Sequence, residues 1–186
     1  MSAVLGPAAA LGDDATSRWL RAQAIWQTQA SAVQAAWRDE PHWRVCDASG
    51  DLGPALFSVW QAWRADPRRP MALRADVLLE QPPELAALED LGQAEEALQP
   101  WVAALRAHWP RLLSGACLPF EGGALRLQLH IGPAPLWGGH LPARVDTVWL
   151  APSADASDAW AALRQCVRTR ASAVPADQSR PASIIF

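Results

Sequence analysis

Lysine and tyrosine are absent from this 186-residue chain, and cysteine occurs three times. Without lysine there can be no phosphate-binding loop of the glycine-lysine-serine kind. Cys46, Cys117 and Cys166 are odd in number and far apart, which gives neither a disulfide framework nor a metal-ligand spacing. They are expected as small core residues, and no metal site is expected. No apolar run approaches the roughly 20 residues that span a bilayer, so no membrane is implied. The first fourteen residues lack the basic start and sustained apolar segment of an export signal. Cytoplasm is therefore the expected location, with residues 1–16 as a flexible tail. A net charge of −3 provides no broad positive field for gripping nucleic acid. No serine sits in a nucleophile elbow and no Cys/His pair is suggested. His42, His108 and His140 lie in or beside loops, and His130, opposite Leu129 and Ile131 in an alternating strand, is read as a surface or edge residue.

All 16 basic residues are arginine, and 11 tryptophans supply most of the aromatic content. With abundant alanine, this bias reads as GC-rich coding. The length suits one domain, placed at residues 17–186.

Helix formers over 17–37, with Trp19, Trp26, Val33 and Trp37 near helical spacing, predict a helix that Ser17 could cap. Pro41 stops it before a strand at 44–48. A turn at Gly50 and Gly53 leads into a helix from Gly53 or Pro54 to about Ala65, with Leu56, Val59, Trp60 and Trp63 on one face. Residues 75–80 form a short apolar run of the kind parallel sheets bury, so strand, helix and strand make a right-handed crossover unit. Helical pieces over 84–113 are expected to break near Gly92, Pro100 and Pro110. Gly122-Gly123 between extended runs predicts a hairpin ending in the alternating Leu125, Leu127, Leu129, Ile131. A buried strand at 144–150, a helix at 155–170 and a terminal strand at 183–186 complete the reading.

Strands ending at Asp47, Glu80, Ile131 and Leu150 would open a pocket outside their carboxyl ends. Asp47, Ser49, Gly50, Asp51 and Gly53 form its first wall, at a helix N-terminus whose free N–H groups and dipole favour a ligand. An ordinary strand-to-helix turn is the plainer alternative. Glu80 forms the second wall, as an acceptor for ribose hydroxyls or as a helix-capping acid. Gly132-Pro133 and the loop at 151–158 form the third and fourth, with Asp155 and Asp158 better explained as caps. Arg64, Arg68, Arg69 and Arg74 make a local basic group that a solvated turn explains.

In order and wording these segments resemble the methyltransferase domain of the bifunctional bacterial enzymes of the MnmC type, which complete 5-methylaminomethyl-2-thiouridine in the tRNA wobble position. Leu52-Gly53 matches the end of that family's glycine-rich loop, and WQAWRADP at 60–67 and Glu80-Gln81-Pro82 match the elements that follow. The likeness continues through 107–132 and 145–150. It implies an α/β, Rossmann-like class I methyltransferase-type sheet, incomplete at its C-terminal edge, with S-adenosylmethionine as cofactor. The cofactor residues carried over are Asp47, Ser49, Gly50, Asp51, Gly53 and Glu80, and the catalytic residues stay unassigned. Expected partners are tRNA, a separate flavin-dependent oxidoreductase chain, or a second copy meeting the truncated sheet edge. The departures fall on the working residues. Ser49 and Asp51 stand for loop glycines, Pro54-Ala55 follows, Gly132-Pro133 stands for Gly-Asp, and Leu150-Ala151-Pro152 shortens an acid-bearing loop. They imply degraded cofactor and catalytic motifs, and with them the alternative of a catalytically inactive binding or scaffolding protein.

Overall fold

The computed structural model describes residues 14–133, 137, 145–150 and 183–185. Helix α1 (Ala15–Trp37) leads into strand β1 (His42–Ala48), helix α2 (Pro54–Ala65) and strand β2 (Ala72–Leu79). Helices α3 (Leu85–Ala94), α4 (Gln99–Ala107) and α5 (Trp109–Leu113) follow, then strands β3 (Leu118–Phe120), β4 (Leu125–Ile131), β5 (Thr147–Leu150) and β6 (Ser183–Ile185). The architecture is α/β with a six-stranded sheet in the order β3-β4-β2-β1-β5-β6. β1 pairs in parallel with β2 and β5, β2 with β4, and β5 with β6, while β3 closes the edge as the antiparallel arm of a hairpin. The Rossmann-like sheet and the hairpin thus follow the expectation. The helix expected at 155–170 lies outside the described residues.

The parallel pairing is why β1 and β2 carry apolar residues on both faces. One face presents Trp43, Val45, Leu73, Ala75, Val77, Leu125, Leu127, Leu129 and Trp149, all buried, to a core shared with α1, α2, α3 and α4. Burying a large apolar side chain is worth about 1.5–3 kcal/mol, so this face dominates folding. Tryptophans knit its layers: Trp26 of α1 stacks on Trp149 of β5 at 6.3 Å, and Trp60 of α2 stacks on Trp101 of α4 at 5.1 Å. Each of these four rings is buried in the core.

One local expectation needs correction. α1 begins two residues before Ser17, and Asp14 caps it by accepting from the Ser17 amide at 2.7 Å. Ser17 is itself buried and is not the cap. The break expected near Gly92 comes at Glu95, whose extended backbone ends α3 after Ala94, while Gly92 itself stays inside the helix. Gly92 is instead where α4 comes close: a Cβ there would lie 3.0 Å from Val102 Cγ2 and 3.3 Å from its Cβ.

That contact makes a prediction. In an open helix Gly→Ala gains about 1 kcal/mol, whereas overpacking costs about 1–3 kcal/mol. Gly92→Ala is therefore expected to lower stability in urea unfolding, and Val102→Ala in the same chain to recover part of the loss. A gain in stability from Gly92→Ala alone would show that α4 yields and that the close approach is not a constraint.

Candidate functional site: the carboxyl edge of the sheet

Because β1, β2, β4 and β5 are parallel, their carboxyl ends share one edge. β1 is the strand at which the order reverses, since the chain moves outward to β2 and β4 and then returns to place β5 on β1's other side. Open α/β sheets bind ligands outside the carboxyl ends at such a point. Asp47, aligned with Val77 of β2 and Trp149 of β5, ends β1 one residue short of the turn.

The turn is built from its backbone. Gly50 has φ 78° and Gly53 has φ 139°, both in the region that favours glycine, whereas Ser49 and Asp51 have ordinary negative φ. Glycine thus stands at both positions that need it, and Ser49 and Asp51 carry no backbone strain. Each new side chain is tied down locally. The Ser49 hydroxyl donates to the Asp51 carbonyl at 3.2 Å, and Asp51 Oδ2 accepts from Arg18 Nη1 of α1 at 2.8 Å. A Cβ at Gly50 would meet no atom within 4 Å outside the adjoining residues. Gly53 is closed by contrast, because a Cβ there would lie 3.0 Å from Leu91 Cδ2 of α3 and 3.7 Å from Leu88 Cδ1.

Asp47 is 1 % exposed. Its Oδ1 accepts from the Ser49 amide at 2.9 Å, whereas among the described residues its buried Oδ2 has no partner at full hydrogen-bond geometry, the Leu56 amide being only a nearby dipole. Burial pushes this carboxyl up to about 6, the Asp51 charge adds to the rise, and the Ser49 hydrogen bonds and the Leu56 amide of α2 oppose it. A buried acid half satisfied beside a helix N-terminus can accept a ligand N–H. Glu80, just past the end of β2, is exposed and makes no hydrogen bond or ion pair among the described residues, so its oxygens are open to a ligand. Gly132, past the end of β4, has φ 146° and donates its amide to the Leu79 carbonyl at 2.9 Å. The expected fourth wall at 151–158 lies outside the described residues.

The sheet's other face carries a polar network that the sequence reading missed. Arg74 holds Asp76 through Nε at 2.9 Å and Nη2 at 3.1 Å, and also reaches Gln128 Oε1 at 3.2 Å. His130 Nε2 lies 2.9 Å from Asp76 Oδ1. His130 is 7 % exposed, which overturns its assignment as a surface or edge residue; β2 pairs beside it and brings Asp76 within reach. The signal was present as polar residues two apart, at 74 and 76 and again at 128 and 130, but linking them needs the β2–β4 register. Burial raises the Asp76 carboxyl, yet the bonds from His130 and Arg74 outweigh it and hold the group below its usual range.

The remaining candidates separate. Arg64 and Arg69 lie over the Trp101 and Trp63 rings, Arg68 pairs with Asp39 at 3.0 Å, and Arg74 belongs to β2, so the four make no joint basic patch. Cys46 is core as expected; Cys117 is exposed, because it stands before β3 at the sheet's edge. Among the described residues no cluster of His, Cys, Asp or Glu could hold a metal ion, and no helix is long and apolar enough to cross a membrane. His140 and Cys166 lie outside the described residues.

No family model matches the chain. It is 34% identical over 116 residues to the tRNA 5-methylaminomethyl-2-thiouridine biosynthesis bifunctional protein MnmC of Acidovorax sp. (strain JS42), covering 62% of this chain and 18% of that one. It is 35% identical over 121 residues to the protein of that name from Verminephrobacter eiseniae, covering 63% and 19%. For the one from Paracidovorax citrulli the figures are 37% over 100 residues, 53% and 16%. The chain is thus similar to a segment of the MnmC proteins. The matches take in less than a fifth of the length of these MnmC relatives. A crystal structure of MnmC2 from Aquifex aeolicus is similar with TM-score 0.49 and 14% identity over 82% of this chain and 47% of that one, too distant a likeness to carry function. The segments on which the MnmC resemblance rests now have places: 60–67 ends α2, and 80–82 follows the tip of β2.

The two buried acids predict opposite pH behaviour. Asp47 has a raised carboxyl, so it costs no stability below its ordinary value of 3.8 and becomes destabilising as pH rises to about 6, by on the order of 3 kcal/mol. The stability of Asp47→Asn relative to the parent should therefore rise between pH 4 and pH 7 in urea titrations. A difference that stays flat would mean that Asp47 titrates as in the unfolded chain. Asp76 has a lowered carboxyl, so its contribution is present above 3.8 and is lost as pH falls through its folded value. Asp76→Asn is expected to cost about 2–3 kcal/mol at neutral pH, less than a fully buried pair because Arg74 stays partly in water. A loss below about 0.5 kcal/mol would show the network to be energetically idle.

Proposed function

We propose that the chain is a methyltransferase-type domain that takes S-adenosylmethionine at the carboxyl edge of β1 and β2 and serves modification of the tRNA wobble uridine. The observation that carries this reading is the turn after β1, with glycine at both positive-φ positions beside a buried acid whose second oxygen has no hydrogen-bond partner among the described residues. Open space at Gly50, the exposed Glu80 and the orphaned Asp47 Oδ2 fit such a ligand. Glu80 would accept from ribose hydroxyls, the 49–53 turn would bring backbone amides to the ligand, and Asp47 would take an N–H through Oδ2. The cofactor supplies a methyl group activated on a sulfonium. Little acid or base chemistry is then asked of the protein, whose task is to hold donor and acceptor in line at about 3 Å with water kept out.

The partners follow from the relatives, whose names speak of tRNA and of two functions in one protein. tRNA is the proposed substrate, and a separate flavin-dependent oxidoreductase chain is a proposed companion. A catalytically inactive binding role is favoured by two observations. Pro54 at the start of α2 removes an N–H from the helix end that would face the ligand, and Leu88 and Leu91 close the space at Gly53.

Calorimetric titration with S-adenosylmethionine decides the first step. Saturable heat is expected, and none up to millimolar ligand would exclude the cofactor. Glu80→Ala is expected to weaken binding by about 1–3 kcal/mol, the worth of hydrogen bonds to a charged acceptor; unchanged affinity would remove Glu80 from the site. Transfer of a labelled methyl group into tRNA bearing the 5-aminomethyl-2-thiouridine acceptor then separates an active enzyme from a domain that only binds.

A further inference from the structure

The glycine turn is gripped from outside by α1. Arg18, in the first turn of α1, reaches Asp51, 33 positions along the chain, through Nη1 at 2.8 Å, with both side chains about one-third exposed. Five residues further along α1, Gln23 Nε2 donates to Ser58 Oγ at 3.0 Å, and that hydroxyl donates in turn to the Pro54 carbonyl at 2.8 Å in the first turn of α2. One rigid helix therefore holds the turn at Asp51 and the start of the following helix at Ser58. The Asp14 cap fixes where Arg18 emerges, since the Ser17 amide donates to its side chain and the Arg18 amide to its carbonyl at 3.0 Å. The Arg18 side chain and Asp51 meet in a small cleft lined also by Ala15, Leu52, Ala87 and Leu91, on the α1–α3 side of the turn.

We propose that Arg18 is a positioning residue of the cofactor site: its ion pair draws the Asp51 carboxylate toward α1 and so holds the turn in its open conformation. Three points of physical chemistry support this. Asp51 puts a charged, two-thirds buried side chain into a short turn, and that charge must be accommodated. Its φ is ordinary, so no strain fixes that side chain and only its partners do. Its charge also opposes ionisation of Asp47, so the guanidinium lessens the repulsion between two acids in one short turn. Asp51 then contributes to the ligand through its backbone, while its side chain belongs to the clamp.

The inference rests on the proposed cofactor site, and its test has an arm that does not. Hydrogen exchange of the 49–53 amides is measured in the parent, Arg18→Ala, Asp51→Ala and the double variant. Both single variants are expected to speed exchange in the turn by about two- to fivefold, the range of a partly exposed ion pair, with exchange in β4 unchanged. The double variant should be no faster than either single one. Lys at position 18 should restore part of the protection, and 0.5 M salt should narrow the gap between parent and Arg18→Ala. Equal exchange in parent and Arg18→Ala would overturn the clamp, as would an Arg18→Ala effect that persists in full in the Asp51→Ala background. Exchange speeded throughout the sheet would also overturn it, by showing general destabilisation. Calorimetry with S-adenosylmethionine on the same four proteins is expected to show a two- to fivefold loss in Arg18→Ala that vanishes in the Asp51→Ala background. If the parent gives no heat, the cofactor reading fails and the exchange arm still decides the clamp. If the parent binds and Arg18→Ala binds equally, the clamp has no bearing on the site.

Discussion

Parallel pairing of β1 with β2 on one side and β5 on the other is the constraint from which the rest follows. A parallel neighbour cannot be reached by a tight turn, so each connection must cross the sheet, and α2 is the crossover between β1 and β2. The same pairing aligns the carboxyl ends of four strands along one edge. It also makes β1 the strand at which the order reverses, so the residues just past Ala48 lie where open α/β sheets bind ligands. The crossover starts at that edge and turns the N-terminus of α2 toward it. Strand order, helix placement and candidate site are thus one geometric fact.

The two faces of this sheet meet burial differently. The face under α1 to α4 is held by dispersion and apolar burial, with tryptophans spanning helix and strand; its one acid is Asp47, at the end of its strand. The other face places Asp76 in the middle of β2 and His130 near the end of β4, which is tolerable because Arg74 and His130 both bond Asp76 and Arg74 also reaches Gln128. Gln128 passes the network on to the Gly115 carbonyl at 3.0 Å, tying the loop before β3 to the sheet. Polar groups there specify how β2, β4 and that loop meet, a role that apolar packing alone fills less selectively.

What could be read from the chain was what local periodicity encodes. Leu56, Val59, Trp60 and Trp63 mark the buried face of α2, and the alternation from Leu125 to Leu129 marks β4; both stand in the structure. The failures share a cause. Asp76 with His130, Arg18 with Asp51 and Gly92 with Val102 are partners set by strand register or helix packing, and no window of the sequence contains the reason for either member. The turn after β1 was legible in place but not in condition, because a glycine count does not reveal which positions need positive φ. Gly50 and Gly53 need it, while Ser49 and Asp51 do not.

That distinction changes what the altered turn means. A glycine lost where φ is positive would cost about 1–3 kcal/mol in strain, and would move the backbone that a ligand must approach. A side chain at ordinary φ costs no such strain, and both Ser49 and Asp51 have partners here. The acids of the turn then differ in one respect that bears on a ligand. Asp51 has a cation beside it, whereas Asp47 lies buried with the Ser49 amide on one oxygen and no donor on the other. Folding alone would favour an uncharged residue there, since ionising Asp47 works against stability near neutral pH. A donor arriving from a ligand would satisfy that oxygen and draw the carboxyl down again, so binding there would release a proton from Asp47.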